Sequence, residues 1–498
     1  MTRKGLYMEK GTGILLPIFS LPSKYGIGTF GKEAIKFIKF LKETKMKYWQ
    51  LLPINPTSFG DSPYQSFSAF AINPYFIDLD LLVKDGFLTK DQCGDLNHRY
   101  SRNIDYGEIY EKKFDILRKA FNVGFDENNK KYISFVKSNK KWLDDYALFM
   151  VIKNFFNGNS FEEWPDNYRL RKPEIIDNIN SKHKNELNYW KWLQFIVFSQ
   201  YKRVKKYANK NGIKIIGDIP IYVALDSADV WSNYGEFELD RDRRPTLVSG
   251  VPPDYFSKTG QLWGNPLYKY SAMEKNEFKW WKFRTKTCSK LYDVLRIDHF
   301  RGMEAYWAVP SDEKTAINGK WIKGPGIKLV DAINSAANGM EIIAEDLGFL
   351  TPEVLKLKEE SKWPGLSIYQ FGFDSMDPKD QYLPENCVEN CVAYIGTHDN
   401  DTLKNYIDTS TKLHQYMMKN LDVSNIDDIY DKMMEKIMCC KAKIVILRMQ
   451  DILKESKEYR INLPGSSSAN WNYRLAKDYS RDEIVNYCLK LVNESGRN

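Results

Sequence analysis

Short apolar runs closed by Gly, Pro or an acid alternate along this chain with amphipathic stretches of helical period. Gly13-Ile14-Leu15-Leu16-Pro17 reads as a buried strand bounded by Gly and Pro. After Gly31, Ala34, Ile35, Ile38 and Leu41 fall on one helical face, with Lys on the other. Tyr48 to Pro53 is a second strand, and strand, helix, strand at this spacing is a βα unit that implies a parallel sheet. Beyond Pro53 the rhythm breaks. Gly60 to Ser66 is turn-rich and polar, Asn73-Pro74-Tyr75 follows, and from about Leu81 to Asn211 the pattern is mostly helical, with long aromatic-laden runs over Lys141 to Phe156 and Leu187 to Lys210. No Pro/Gly/Ser-rich linker marks either edge, so residues 54–212 read as a mainly helical insertion after strand 2 within one domain spanning 1–498.

The strand pattern then resumes at Ile213 to Asp218, Leu291 to Asp298, Glu341 to Asp346, Leu366 to Gln370 and Val392 to Gly396. Arg460 to Gly465 makes the eighth, and helical patterns such as Gly326 to Ala337 and Asp427 to Lys454 lie between. Eight strands with intervening helices predict an α/β fold, a (β/α)8 barrel with further insertions at the face where strands end. Acids recur at those ends: Asp218, Asp298, Glu345 and Asp399. That face carries the chemistry in such barrels, so the four are expected to converge on one mouth.

Leu295 to Gly302 is the densest of these ends. Arg296 and Asp298 share one side of a strand, where the guanidinium can hold the carboxylate ionised. Alone, the octapeptide fits a structural Arg–Asp pair. With the other acids it fits a retaining glycosidic site, which needs a carboxylate nucleophile and a protonated acid/base about 5–5.5 Å apart. Asp298 suits the first role. Glu345 suits the second, because its side chain is longer and an apolar wall from Ile342, Ile343 and Leu347 would raise its pKa. Asp346 points the other way and reads as structural. Asp399 is placed to hold sugar hydroxyls, with His398 donating a hydrogen bond or, more plainly, serving as an Asp-bound loop histidine. Asp218 either holds Arg296 or touches substrate.

Two other classes use similar residues. Asp and His at barrel strand ends also build divalent-metal hydrolases. Against this, there is no His-x-His pair and the chain has only 5 His. A non-catalytic glucan-binding protein would share the aromatics, but gives no reason for Glu345 and Asp298 to face each other. Aromatics reach 14%, which fits either a sugar cleft or an aromatic core. The net charge of +8 is spread over helix faces such as Lys202 to Lys206, without a dense basic block, so nucleic-acid binding is not expected. The 7 Cys form neither Cys-x-x-Cys nor a zinc spacing, as free thiols of a reducing cytosol would. No signal-peptide run and no stretch near the ~18 apolar residues of a membrane span is found, so the expected location is cytoplasmic.

Long motifs in one order then resemble the 4-α-glucanotransferases of the amylomaltase (disproportionating enzyme) family along nearly the whole chain. They are Gly13 to Gly31, Gly60 to Phe70, Gly217 to Val223, Gly250 to Phe256, Gly264 to Tyr268, Arg296 to Gly302, Ala344 to Gly348, Gly396 to Thr402 and Asn470-Trp471. The resemblance implies a retaining α-1,4-glucanotransferase acting on malto-oligosaccharides and starch- or glycogen-derived glucans, as a monomer or homodimer, with no metal or organic cofactor. It makes Asp298 the nucleophile, Glu345 the acid/base and Asp399 the transition-state stabiliser, supported by Arg296 and His398; Asp218 is counted as a supporting residue for its place at a strand end beside Arg296. The resemblance places Ser62, Tyr64, Asp254, Phe256, Trp263, Asn265 and Asp374 on the glucan. It also implies that the segment of about 219–290 carries a loop, around Val251 to Leu262, that covers the cleft and excludes water. An amylase-type hydrolase is the alternative. The chain departs from the family at Gly465-Ser466-Ser467-Ser468, where Thr is common after the Gly.

Overall fold

The computed structural model describes residues 8–96, 100–253, 257–466 and 470–498. Eight parallel strands form the barrel: β1 (Gly11–Leu15), β2 (Tyr48–Gln50), β3 (Lys214–Pro220), β4 (Val294–Asp298), β5 (Glu341–Ala344), β6 (Gly365–Ile368), β7 (Cys391–Tyr394) and β8 (Ile444–Arg448). Their order is β6-β7-β8-β1-β2-β3-β4-β5, with β1 paired to β8 on one side and to β2 on the other. The ring is nearly closed. At the remaining gap the Ala344 N–H donates to the Pro364 carbonyl at 2.9 Å, and the Asp346 carboxylate accepts the Leu366 N–H while pairing with Lys358. Asp346 thus joins β5 to β6.

The eighth strand is a correction. It is Ile444–Arg448, inside the run expected to be helical from Asp427 to Lys454. The helix there stops at Met438, and Arg460 to Gly465 is a loop. Three β-branched residues in a row, Ile444-Val445-Ile446, lose χ1 freedom in a helix and pack well on a pleated surface, so the fully buried segment extends. Smaller shifts occur elsewhere. The first strand runs from Gly11 to Leu15, and Leu291 closes a helix rather than opening β4.

Between β2 and β3 lie helices Leu79–Lys84, Tyr106–Gly124, Lys130–Phe155, Pro173–Lys182 and Lys184–Lys210. The last also packs on β3 and on helix Lys32–Glu43, so it serves as the barrel's own helix. Its buried Gln194 exchanges hydrogen bonds with both backbone groups of Ile72 (2.9 Å each), and Gln200 does the same for Asp78. Two buried amides with every partner met fix the irregular chain that leads away from Gly60 to Ser66. A second, antiparallel sheet stands beside the barrel, in the order Gln261–Pro266, Leu247–Val251, Ala305–Pro310, Lys320–Lys323. The sequence pattern did not predict it. Among the described residues no helix is long and apolar enough to cross a membrane.

Candidate active site

Charges enter the barrel mouth from the ends of β3 and β4. Asp218 on β3 is opposite Arg296 on β4 in register, and the Arg296 Nη1 donates to both of its oxygens at 2.8 and 2.7 Å. The Nη2 of the same guanidinium donates to the Asp298 Oδ1 at 2.7 Å. Asp218 is fully buried and Arg296 nearly so. The cation that bridges the two carboxylates is therefore a side chain, and both carboxylates hold it charged. Burial pushes the Asp218 carboxyl upward and Arg296 opposes it.

Glu345 follows β5. The β4–β5 register pairs Ile297 with Ala344, which sets Asp298 and Glu345 side by side on strands about 4.8 Å apart. Its Oε2 accepts the His299 N–H at 2.7 Å and its Oε1 accepts the Leu347 N–H at 3.0 Å. His299 adopts the left-handed conformation (φ 60°), and this turn delivers its N–H. The Glu345 pKa is pushed up to about 8, first by burial and then by the charge of Asp298, against the pull of Arg296 and the two N–H donors.

Asp399 sits outside β7. Its Oδ2 is 3.3 Å from the His398 Nε2, and its Oδ1 accepts the Asn462 Nδ2 at 2.6 Å. Arg460 donates to the Asp399 carbonyl and, at 2.7 Å, to that of Asn462. The alternation that predicts a strand over Arg460 to Gly465 gives Arg460 and Asn462 no site role. The segment's Gly-Ser-rich end is the available loop signal.

Gly60 and Asp61 turn the chain through positive φ, and the Ser62 hydroxyl accepts the Tyr64 N–H at 3.3 Å. Tyr64 reaches the Asp218 Oδ2 at 2.9 Å, stacks on His398 (5.3 Å, 17°) and tilts against Trp471 (5.8 Å). Opposite chemistry comes from the second sheet: Trp263 meets His299 edge to face at 4.8 Å. Burial pulls the His299 imidazole down to about 4, so it is neutral near pH 7. Asn265 is buried and donates to the Val223 carbonyl at 3.1 Å, tying that sheet to the segment after β3.

Asp298, Asp399, His398, Ser62, Tyr64, Trp263 and Asn265 all line one groove of about 1250 Å³. Asp374 is not on that wall; it is exposed, and its Oδ1 accepts the Tyr406 hydroxyl at 2.9 Å. Asp254 and Phe256, with Tyr255 between them, lie outside the described residues.

A carboxyl that keeps its proton to about pH 8 beside an arginine-paired carboxylate is the kind of pair that acid-assisted displacement requires. Turnover that uses Glu345 as an acid is expected to fall as pH rises through about 8, read as kcat/KM against pH. The same shift bears on folding. The native chain keeps this proton to about 8, whereas the unfolded carboxyl releases it near 4.5. The group's contribution is therefore fully present below 4.5 and lost as pH rises through about 8. Glu345→Gln is expected to lessen the fall in Tm between about pH 6 and about 9, as differential scanning calorimetry would measure.

The sequence model of a family described as 4-alpha-glucanotransferase matches residues 16–479. A 4-alpha-glucanotransferase of Clostridium butyricum is 47% identical over 484 residues, covering 96% of this chain and 99% of its own. That of Thermus thermophilus is 40% identical over 481 residues, covering 94% and 95%. An amylomaltase of Streptococcus agalactiae, solved in complex with acarbose, superposes with a TM-score of 0.95 at 35% identity over 98% of this chain and 100% of that one.

Proposed function

The chain belongs to the 4-alpha-glucanotransferase family, and from that premise we propose that it moves a segment of an α-1,4-glucan to a new 4-hydroxyl, on glucose or a maltodextrin, by a retaining double displacement. The carrying observation is the pairing of a proton-bearing Glu345 with Asp298 on adjacent strands in register. Neighbouring strands favour the short separation, about 5–5.5 Å, at which the second carboxylate attacks carbon directly instead of activating water.

Asp298, oriented by Arg296, attacks the anomeric carbon while Glu345 gives its proton to the departing glycosidic oxygen. The C–O bond to the leaving glucan breaks and the Asp298–glycosyl bond forms. Once esterified, Asp298 is neutral, so one of the two forces raising the Glu345 pKa disappears. Glu345 therefore stays ionised nearer neutral pH and is free to take the proton of the incoming 4-hydroxyl as that oxygen displaces Asp298. Asp399, held by Asn462 and His398, receives the hydroxyls of the ring at the reacting sugar. Tyr64 packs against that ring while its hydroxyl stays on Asp218. The hairpin of Leu247–Val251 and Gln261–Pro266, bearing Trp263, shelters the ester from water so that a sugar hydroxyl intercepts it.

Incubation with maltotriose is expected to yield glucose and a ladder of longer maltodextrins, resolved by anion-exchange chromatography. Short sugars without any longer product would favour the hydrolase reading.

A further inference from the structure

The loop after β5 carries a phenylalanine that the core does not use. Gly348, at φ 87°, supplies a turn that other residues rarely adopt, and Phe349 beyond it is 72% exposed. Trp321, on strand Lys320–Lys323 of the second sheet, is 38% exposed. Arg301 links them: its guanidinium carbon lies 3.8 Å from the centroid of the Trp321 ring and 5.8 Å from that of Phe349. Trp307 meets the Trp321 ring edge to face at 5.2 Å, and its own indole N–H is tied to the Ala316 carbonyl at 2.8 Å.

Arg301 is only 6% exposed, and its Nε and Nη1 are buried without a hydrogen-bond partner. Desolvating a guanidinium without meeting those donors is unfavourable, a cost that the charge of the nearby, buried Glu304 offsets only in part. What the burial achieves is a fixed plane for the Trp321 ring, held by a cation on its face and by the Trp307 indole packed at 66° to it. A single exposed ring is ordinary; two adjacent rings ordered by a buried cation are a prepared surface. Neither ring lines the groove itself, but Phe349 is four residues beyond Glu345 in one loop, and Arg301, which touches both rings, follows Asp298 and His299 in one short turn.

We propose that Trp321 and Phe349 form a stacking platform for the acceptor glucan, receiving pyranose rings beyond the sugar whose 4-hydroxyl reacts, with Arg301 as the positioning residue that holds Trp321. The side follows from the chemistry. Glu345 exchanges its proton with the leaving and incoming oxygens, so the chain on the acceptor side of the bond runs past the loop that carries Glu345. This assignment rests on the transferase reading of the site.

The test compares the native enzyme with Phe349→Ala and Trp321→Ala, using a labelled donor blocked at its non-reducing 4-hydroxyl and either glucose or maltohexaose as acceptor. Both rings are partly or largely exposed, so the variants are expected to fold, which circular dichroism checks. The KM for glucose should stay within about twofold, while the KM for maltohexaose rises about fivefold in each variant. Arg301→Lys keeps the charge but loses the flat stack, and should raise the maltohexaose KM in the same direction with kcat retained. Equal loss with both acceptors, no loss with maltohexaose, or a changed oligomeric state of the variants in sedimentation would overturn the platform. A native enzyme that makes no maltodextrin ladder would instead sink the transferase reading, and that is measured before any variant.

Discussion

Asp298→Asn is expected to lower transfer by on the order of 10⁴-fold or more, since Asp298 is the group proposed to form the ester and the surroundings alone supply only the residual rate. The variant should still fold. Arg296 keeps both of its bonds to Asp218, so the substitution leaves no uncompensated buried cation. Glucan binding should persist, because Tyr64, Trp263 and His398 are untouched in the groove. Disproportionation of maltotriose measures the first expectation, and quenching of tryptophan fluorescence by a maltodextrin measures the second. Activity above a few per cent of native would remove Asp298 from the nucleophile's role. Loss of binding and folding together would mean that the Arg296 network, and not the ester, depends on it.

Glu345→Gln is expected to be nearly as damaging with natural glucans, by about 10³- to 10⁴-fold, but selectively so. The amide oxygen can accept one of the two N–H groups that the carboxylate now holds, that of His299 or that of Leu347, while its NH2 faces the other, so circular dichroism checks that the variant folds. What it cannot do is protonate a sugar oxygen. A glycosyl fluoride needs no such proton, because fluoride leaves without it. With that donor the variant should form the Asp298 ester at a rate much closer to native and then stall, for want of a base to activate the acceptor. Intact-protein mass spectrometry should therefore show the glycosylated chain accumulating. An equal loss with both donors, and no adduct, would strip Glu345 of the acid/base role.

Most of the barrel could be read from the chain because its strands are short apolar runs closed by acids or Gly, and because long helices separate them. The eighth strand was misplaced for a physical reason. Ile444 to Leu447 is a continuous apolar run, and such a run inside an amphipathic stretch has no period that separates strand from buried helix. Arg460 to Gly465 imitates a strand by alternation, yet its polar residues do site work: Asn462 holds Asp399. The second sheet escaped notice because Leu247–Val251 and Gln261–Pro266 carry Gly and Pro and contain little continuous apolar sequence. Of the site, the four acids at strand ends and Arg296 were legible, since charges at the ends of buried strands need a reason. The partners that come from distant loops, Arg460 and Asn462, were not, because tertiary folding alone brings them to Asp399, and Trp471 stood out only as part of a motif, without its place against His398.

Pairing β1 with β8 has a consequence for how the molecule is made. Gly11–Leu15 is translated early, but one of its two edges has no neighbour until Ile444–Arg448 has been synthesised. For most of synthesis an apolar strand therefore presents open amide and carbonyl groups, the kind of edge that other nascent chains can capture. Ring closure must be among the last events in folding, slowed by the entropy of joining such distant segments. Yield in the cell would then depend on chaperone shielding of that one edge more than on the final strength of the barrel.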